Sequence, residues 1–363
     1  MAESAGEDRI ARLRLIRSES IGPVTYNQLL ARFGSAAAAL DAVPALARRG
    51  GGSPPTIASR ALAEREMEAV ARLGARHLFR GDADYPALLM PVEGAPPVLI
   101  ARGRAELLQR PALALVGARN ASAAACRFAR QLAQGIGAAG AAVVSGLARG
   151  IDTAAHDGAL ESGTIAVLAG GIDVVYPPEN AERQRAIGER GLLLAEQPPG
   201  LEPRARHFPY RNRIIAGVAS GTVVVEAAPK SGSLITARFA AEYGRDVMAV
   251  PGSPLDPRAQ GCNQLIREGA ILVQNAQDVL ETLSPFTVPP LAEEAADYRP
   301  PEPGDVDGAQ RATVRDLLSP TPVAVDEIVR QSALPPAVVQ TVLLELELAG
   351  RIERHAGGRV SLC

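Results

Sequence analysis

From about residue 112 to 283, short apolar runs of β-prone residues alternate with helical patterns, and this alternation restricts the fold more than any other feature of the chain. The runs fall at 113–116, 142–145, 164–168, 192–195, 222–226, 247–250 and 271–273. Between most of them lie helical patterns at 122–138, 151–160, 179–188, 208–219 and 234–243. Strands that are continuously apolar are buried on both faces, which calls for a parallel sheet covered by helices on each side. The expected fold class is therefore α/β, with a Rossmann-like, doubly wound, mostly parallel sheet.

The flanks read differently. Residues 8 to about 75 are alanine-rich and helical, with Ile10, Leu13 and Ile16 at helical spacing. A break at Ile21-Gly22-Pro23 precedes a second amphipathic stretch, Tyr26, Leu29, Leu30 and Phe33. Such a helix–Gly-Pro–helix unit can hold a phosphate on backbone N–H groups, but it is also an ordinary joint between two small helices, the reading preferred here. Residues 285–308 carry six prolines and an acidic cluster and read as an extended linker. Beyond it, helical patterns at 311–318, 325–331 and 335–348 precede an alternating stretch around Gly357-Gly358. Three helices and a hairpin outline a winged-helix-like domain. The expected division is 1–78, 79–284, 285–308 and 309–363.

Composition narrows the function classes. The 363 residues carry a net charge of −2, so no global basic signature marks a nucleic-acid binder. The distribution is uneven, however: 203–225 contains no acid, while Arg204, Arg206, Arg211 and Arg213 crowd there with His207. No apolar run is long enough to span a bilayer, and the first twenty residues lack a signal peptide's apolar core. Cys126, Cys262 and Cys363 match no metal-ligand spacing, and so sparse a count suits a reducing compartment. The expectation is a cytoplasmic protein with no membrane partner, no metal and no cofactor.

In doubly wound sheets, ligands bind at the carboxyl ends of the strands, so the loops there carry the chemistry. The first is Val116-Gly117-Ala118-Arg119-Asn120-Ala121-Ser122, where glycine admits a close ligand, Arg119 offers a fork of donors and Ser122 can cap the next helix. It lacks the G-x-G-x-x-G spacing, and the second strand ends at Ser145-Gly146 without the acid that holds a ribose. A nicotinamide enzyme is thereby disfavoured. The second loop, Ser145 to Asp152, again sets small residues and Arg149 before a helix, with His156 one turn beyond Asp152. That pair reads as a helix-start cap and a packed histidine rather than an acid–base couple, because no third polar group accompanies it. Gly170 and Gly171 end the third strand without side chains to obstruct a ligand.

Phe208 and Tyr210 lie among arginines in His207-Phe208-Pro209-Tyr210-Arg211-Asn212-Arg213. Stacking faces interleaved with guanidiniums suit single-stranded nucleic acid, and a solvated helix start with Phe208 in the core would have the same composition. Lys230, the only lysine, stands with Ser231, Gly232, Ser233 and Thr236 at another helix start. This is an anion site or an ordinary capped helix, but it is no Walker A loop. Several phosphate-compatible loops on one sheet edge, without an evident catalytic group, describe a polyanion binder more readily than an enzyme. The alternative is a nucleotide-binding hydrolase or phosphoribosyl-type enzyme. It would need a pocket carboxylate, for which Glu226 is the candidate; a hydrogen bond from Glu226 to neighbouring loops is the favoured role.

These motifs resemble the DNA-processing protein A (DprA/Smf) family. The resemblance rests on Val116-Gly117-Ala118-Arg119, Ser145 to Asp152 with Ala155-His156, Phe208 to Ile215, Val225-Glu226-Ala227, Lys230 to Ser233 with Thr236-Ala237, Val250-Pro251-Gly252 and Gly261 to Ile266. Tyr85-Pro86 and Pro96-Pro97 fit as well, and the motifs run in the family's order from about 80 to 280. The resemblance implies a non-enzymatic single-stranded-DNA-binding protein of natural transformation that protects incoming strands and loads the RecA recombinase. It further implies a homodimer through the Rossmann-like domain and an N-terminal sterile-alpha-motif-like (SAM-like) domain. Carried over by motif, Arg119, Arg211, Arg213 and Lys230 are phosphate contacts, while Gly117, Ser145, Gly146, Gly170, Ser231, Gly232 and Ser233 line the pocket. Ser122, Arg149, Gly171, Phe208, Asn212 and Thr236 complete the expected interface.

The last helical pattern of the C-terminal domain has no Arg or Lys and two acids. Val338, Val339, Val342, Leu343 and Leu346 form its buried stripe, leaving Leu344 and Leu348 exposed by expectation. A groove-reading helix is basic or polar, so this domain is expected to contact protein rather than DNA.

Overall fold

The computed structural model describes residues 2–283, 306–355 and 357–363. They make two compact units, one built from the chain up to Glu64 together with the C-terminal described residues, the other beginning at Arg65. The chain opens with α1 (Ala2–Arg17), α2 (Pro23–Phe33) and α3 (Ala36–Arg49), and α4 (Arg60–Arg72) leads into the second unit. Pro23 starts α2 where its missing N–H costs nothing, and Gly34 ends it at φ +73°. Ser35 then caps α3 by accepting from the Ala38 amide.

The second unit contains β1 (Ala75–Phe79), β2 (Val98–Gly103), β3 (Ala112–Val116), α5 (Ala123–Ala138), β4 (Ala142–Ser145), α6 (Ile151–Ala159), β5 (Thr164–Gly171) and α7 (Ala181–Arg190). There follow β6 (Leu192–Gln197), α8 (His207–Val218), β7 (Gly221–Val224), α9 (Gly232–Glu242), β8 (Asp246–Ala249), α10 (Gln260–Arg267), β9 (Ile271–Leu272) and α11 (Ala276–Glu281). The strands form one sheet in the order β1-β2-β6-β5-β4-β3-β7-β8-β9. From β6 to β9 every pairing is parallel, as the apolar runs require. Central β3 shows why those runs lack polar alternation. Ala112, Ala114 and Val116 enter the core on one face and Leu113 and Leu115 the core on the other.

Two strands were not anticipated. β1 and β2 pair antiparallel, and β2 pairs antiparallel with β6, extending the sheet at one edge. β1 starts inside 1–78, the stretch expected to be helical, and the second unit begins at Arg65, ahead of the expected 79. The five residues of β1 alternate too briefly to separate a strand from a helix end by periodicity.

The chain order fixes where a ligand fits. From β3 the connections proceed through β4 and β5 to β6; the chain then returns to the other side of β3 to form β7, β8 and β9. Loops leaving β3 and β7 consequently diverge, opening a crevice at the carboxyl ends of these neighbours, where Val116 pairs with Val224.

In the first unit, α12 (Gly308–Asp316), β10 (Val323–Ala324), α13 (Val325–Ser332), α14 (Pro336–Leu348), β11 (Ile352–His355) and β12 (Arg359–Leu362) form a winged helix with a three-stranded sheet, β10-β12-β11. Gly357 and Gly358, with φ +75° and +61°, supply the tight hairpin turn. The expected linker at 285–308 lies outside the described residues except for its last three, which belong to this domain. Val306 is buried in its core, Asp307 and Gln310 form a reciprocal cap, and Gly308 opens α12.

Val339, Val342, Leu343 and Leu346 of α14 fill the winged-helix core as expected. Leu344 and Leu348, expected to be exposed, are instead 3% and 1% accessible and lie in the core of the N-terminal helices with Leu40, Val43 and Ala47. One turn apart, they form a second apolar face on α14. Gln28 Nε2 donates to Gln340 Oε1 at 3.0 Å, and Arg351 Nη2 donates to the Gly51 carbonyl at 3.0 Å. A Cβ on Gly50 would collide with the Glu345 carbonyl, so only glycine allows so close an approach. Among the described residues, no single helix is long and apolar enough to cross a membrane.

Candidate nucleic-acid interface

Two adjoining cavities of about 440 and 470 Å3 occupy the crevice, with Arg119, Asn120, Ala148, Phe208 and Arg211 forming a shared wall. The second cavity is bounded by Gly117, Asn212, Lys230, Ser231, Gly232, Ser233 and Thr236. The first is bounded by Gly146, Arg149, Gly170, Tyr176 and Pro203. Loops far apart in sequence meet because β3, β4, β5 and β7 are neighbours.

Arg211 forms the floor. Its Nη1 donates to the Val167 carbonyl at 2.6 Å and to the Gly146 carbonyl, and the residue is only 5% exposed. Gly146 leaves room for this placement, since a Cβ there would displace the guanidinium. Burial lowers the Arg211 pKa to about 10; Asp152 works against this shift and Arg119 adds to it. Arg211 remains charged at neutral pH, with few protein partners for so buried a cation.

Phe208 does not lie in the core. It faces both cavities, with the Arg119 guanidinium 5.1 Å above its ring and the Tyr176 ring 5.4 Å away at a 55° tilt. Tyr176 is 46% exposed and was missed in the sequence; the signal available was a rare aromatic residue shortly after the strand ending in Gly170-Gly171. At the outer edge, Arg149 pairs with Glu179 at 3.4 Å.

Across the crevice, the Ser231 side chain accepts from the Ser233 amide and shares a 2.8 Å hydroxyl contact with Ser233, opening α9. Asn212 Nδ2 donates to the Gly232 carbonyl at 3.1 Å, tying α8 to α9. Lys230 is exposed and stands at φ +67°, a left-handed conformation that costs a side-chain-bearing residue about 1 kcal/mol or more. The start of α9 thus brings a cation, hydroxyls and helix-end amides to one wall, a combination that favours anions.

Four expected residues are placed elsewhere. Arg213 is two positions beyond Arg211 on α8, about 200° around the helix, and so faces away from the crevice. It bonds Glu196 Oε1 at 2.6 Å and the Gly94 carbonyl at 2.5 Å. Ser122 caps α5 and donates to Glu226 Oε2 at 2.7 Å, while its amide donates to Glu226 Oε1 at 3.0 Å. Glu226 therefore holds a loop, as favoured from the sequence. Ser145 is fully buried and donates to the Leu115 carbonyl at 2.6 Å. Gly171 packs beneath the Pro198–Gly200 turn, where a Cβ would meet the Pro198 carbonyl at 2.6 Å. Among the described residues, no group of three His, Cys, Asp or Glu side chains could hold a metal.

Comparison with known proteins finds family matches along most of the chain. Residues 76–284 match the family model described as DNA recombination-mediator protein A. Residues 6–69 match a DprA-like N-terminal HHH domain and 298–358 a DprA winged helix domain. The DNA processing protein DprA of Streptococcus pneumoniae is 48% identical over 201 residues, covering 55% of this chain and 71% of that protein. Protein Smf of Escherichia coli is 39% identical over 295 residues, covering 79% of this chain and 77% of its own. Among solved structures, the S. pneumoniae DNA processing protein A superposes with a TM-score of 0.58 at 44% identity, covering 61% of this chain and 77% of that one. A Helicobacter pylori DNA processing protein A, studied for its single-stranded DNA binding mode, gives 0.53 at 28% identity, with coverages of 58% and 95%.

Proposed function

Because the chain belongs to the DNA recombination-mediator protein A family, we propose that it binds single-stranded DNA in the crevice and acts without catalysis, protecting incoming strands and loading the RecA recombinase onto them. The observation that carries this reading is the gathering of Arg119, Arg211 and Lys230 with the α9 helix start around one crevice, beside the half-buried Phe208 ring and the exposed Tyr176 ring. Single strands need that combination of phosphate contacts and stacking faces. The H. pylori relative's single-stranded DNA binding mode supports it. Glu226, the carboxylate that an enzyme on this sheet would use, is engaged by Ser122.

The contact set is narrower than the motif carry-over. It keeps Gly117, Arg119, Gly146, Arg149, Gly170, Phe208, Arg211, Asn212, Lys230, Ser231, Gly232, Ser233 and Thr236, while Ser122, Ser145, Gly171 and Arg213 hold the scaffold. RecA loading, a role in natural transformation and a homodimer through the central sheet follow from family membership. The half-exposed Ile271 and Leu272 of terminal strand β9 offer an apolar edge for a second copy. The end of the central domain is placed near 284, where its family-model span ends, and the winged-helix domain starts by residue 306, ahead of the expected 309. A protein partner for the C-terminal domain stays part of the proposal, although Leu344 and Leu348, the residues that suggested it, cover the chain's own N-terminal helices.

The test is binding of fluorescent single- and double-stranded oligonucleotides across a salt series. Arg119→Ala and Lys230→Ala should each flatten the single-strand salt slope by about 0.7, while Arg213→Lys keeps the wild-type slope. If neither strand type binds, or if the first two variants match wild type, the reading fails.

A further inference from the structure

Asp152, at the wall of the second cavity, and His156 are both buried beside the crevice and converge on one short loop. After β4 the backbone turns at Leu147 with φ +53°, a left-handed conformation unfavourable for a branched side chain, and the leucine is fully buried. Such strain persists only where its surroundings over-determine it.

Here each backbone amide and carbonyl from Gly146 to Ala148 is bonded to a side chain. Asp152 Oδ2 accepts from the amides of Gly146 at 3.2 Å and Ala148 at 3.3 Å. His156 Nε2 accepts from the Leu147 amide at 3.3 Å. Asn180 Nδ2 donates to the Leu147 carbonyl at 2.9 Å, and Thr153 Oγ1 donates to the Ala148 carbonyl at 2.8 Å. The sixth group, the Gly146 carbonyl, accepts from Arg211 Nη1.

The protonation pattern is self-consistent. Thr164 Oγ1 donates to the Val143 carbonyl at 3.1 Å, so it accepts from His156 Nδ1–H at 2.7 Å. That leaves a lone pair on Nε2 for the Leu147 amide. Burial also pushes the His156 pKa down to about 3, keeping the ring neutral at physiological pH. Arg211 Nε, by contrast, is buried and has no partner among the described residues. The guanidinium is held by one nitrogen and retains donors for an anion.

We propose that Asp152, His156 and Asn180 are positioning residues for single-strand binding. They hold Leu147 in its left-handed turn, which aims the Gly146 carbonyl at Arg211 and thereby sets the direction of its remaining N–H groups toward a phosphate. The φ of Leu147 and the orientation of the Gly146 carbonyl are coupled through one rigid peptide plane, so relaxing the turn swings the carbonyl off Nη1. This inference rests on the single-strand-binding reading.

The experiment compares full-length wild type, His156→Ala, His156→Gln, Asp152→Ala and Asp152→Asn. Two readouts are used, oligonucleotide binding across a salt series and the NMR signal of the Arg211 Nε–H group. His156→Ala should weaken single-strand binding about tenfold with a parallel salt slope, because no phosphate contact is deleted, and should shift the Arg211 signal. His156→Gln offers an acceptor to Leu147 and a donor to Thr164, and should recover both. Asp152→Asn, which keeps an acceptor for the two amides, should lose less affinity than Asp152→Ala. A folded His156→Ala protein with wild-type affinity and Arg211 signal overturns the proposal. So does an Asp152→Asn protein as weak as Asp152→Ala, which would assign the effect to charge. If His156→Ala does not fold, the Asp152 pair decides on the same readouts. If wild type fails to bind single strands, the proposed function falls, while the Arg211 signal still tests the positioning.

Discussion

Gly232→Ala separates the demands of folding from those of binding. Gly232 is the first residue of α9, next to the Ser231 cap, and a Cβ built on it meets no atom within 4 Å. Its φ lies outside the left-handed range, so alanine fits the backbone without strain. Gly146 and Gly170 of the same crevice are different, because a Cβ would strike Arg211 in one case and the Leu201 carbonyl at 2.7 Å in the other. The fold alone therefore favours alanine at 232, and reduced freedom of the unfolded chain should stabilise the protein by about 0.4–1 kcal/mol. For a unit of this size that is roughly 1–4 °C in the unfolding midpoint. Binding should move the other way. A phosphate hydrogen-bonded to the amides at the start of α9 sits about 2.9 Å from those nitrogens, and a methyl group at 232 enters that space. The expected result is a raised midpoint in calorimetry with single-strand affinity reduced about tenfold, a loss of about 1.4 kcal/mol. Unchanged affinity in a stabilised variant would refute the placement of phosphate at this helix start. A lowered midpoint would refute the reading of open space.

Two further outcomes are expected. Leu344→Ala, which empties a site shared by α14 and the N-terminal helices, should cost about 2–5 kcal/mol, and amide exchange should quicken in α3 as well as α14; undisturbed protection in α3 would show that the two segments do not stabilise each other. His156 gives a pH signature: its reference pKa is 6.5 and burial lowers it to about 3 in the fold, so the unfolded state takes up the proton first. Its contribution is thus fully present above about pH 6.5 and is lost as pH falls toward 3, at up to roughly 1.4 kcal/mol per unit. The stability deficit of His156→Gln relative to wild type should accordingly narrow below pH 6.5 in denaturant titrations, and a constant gap down to pH 4 would contradict a buried neutral imidazole.

The parallel sheet was legible because burial on both faces leaves runs such as Leu113 to Val116 without polar interruption. The crevice was legible for a related reason, since small residues and arginines must follow strands where a ligand approaches the backbone. What sequence could not resolve was the direction in which a side chain faces. Arg211 and Arg213 belong to one motif, and only the placement of α8 against the sheet turns one toward the crevice and the other toward Glu196. Ser122 and Ser145 were ambiguous in the same way, because a hydroxyl after a strand serves a cap or a carbonyl as readily as a ligand. Leu344 and Leu348 could be recognised as surplus to the winged-helix core, but their cover comes from residues some 300 positions away, beyond the reach of local pattern. Tyr176 had no motif to announce it; its role emerges from its approach to Phe208 across the crevice.

The burial of Leu344 and Leu348 among the N-terminal helices has a consequence for the order of events during synthesis. Leu40, Val43 and Ala47 leave the ribosome some 300 residues ahead of the apolar cover that α14 provides for them. The central sheet is complete in sequence by β9 and can fold while the first helices still lack that cover. Final closure of the lobe is thus timed by translation of α14, and a ribosome that stops short of it leaves Leu40, Val43 and Ala47 without part of their apolar cover.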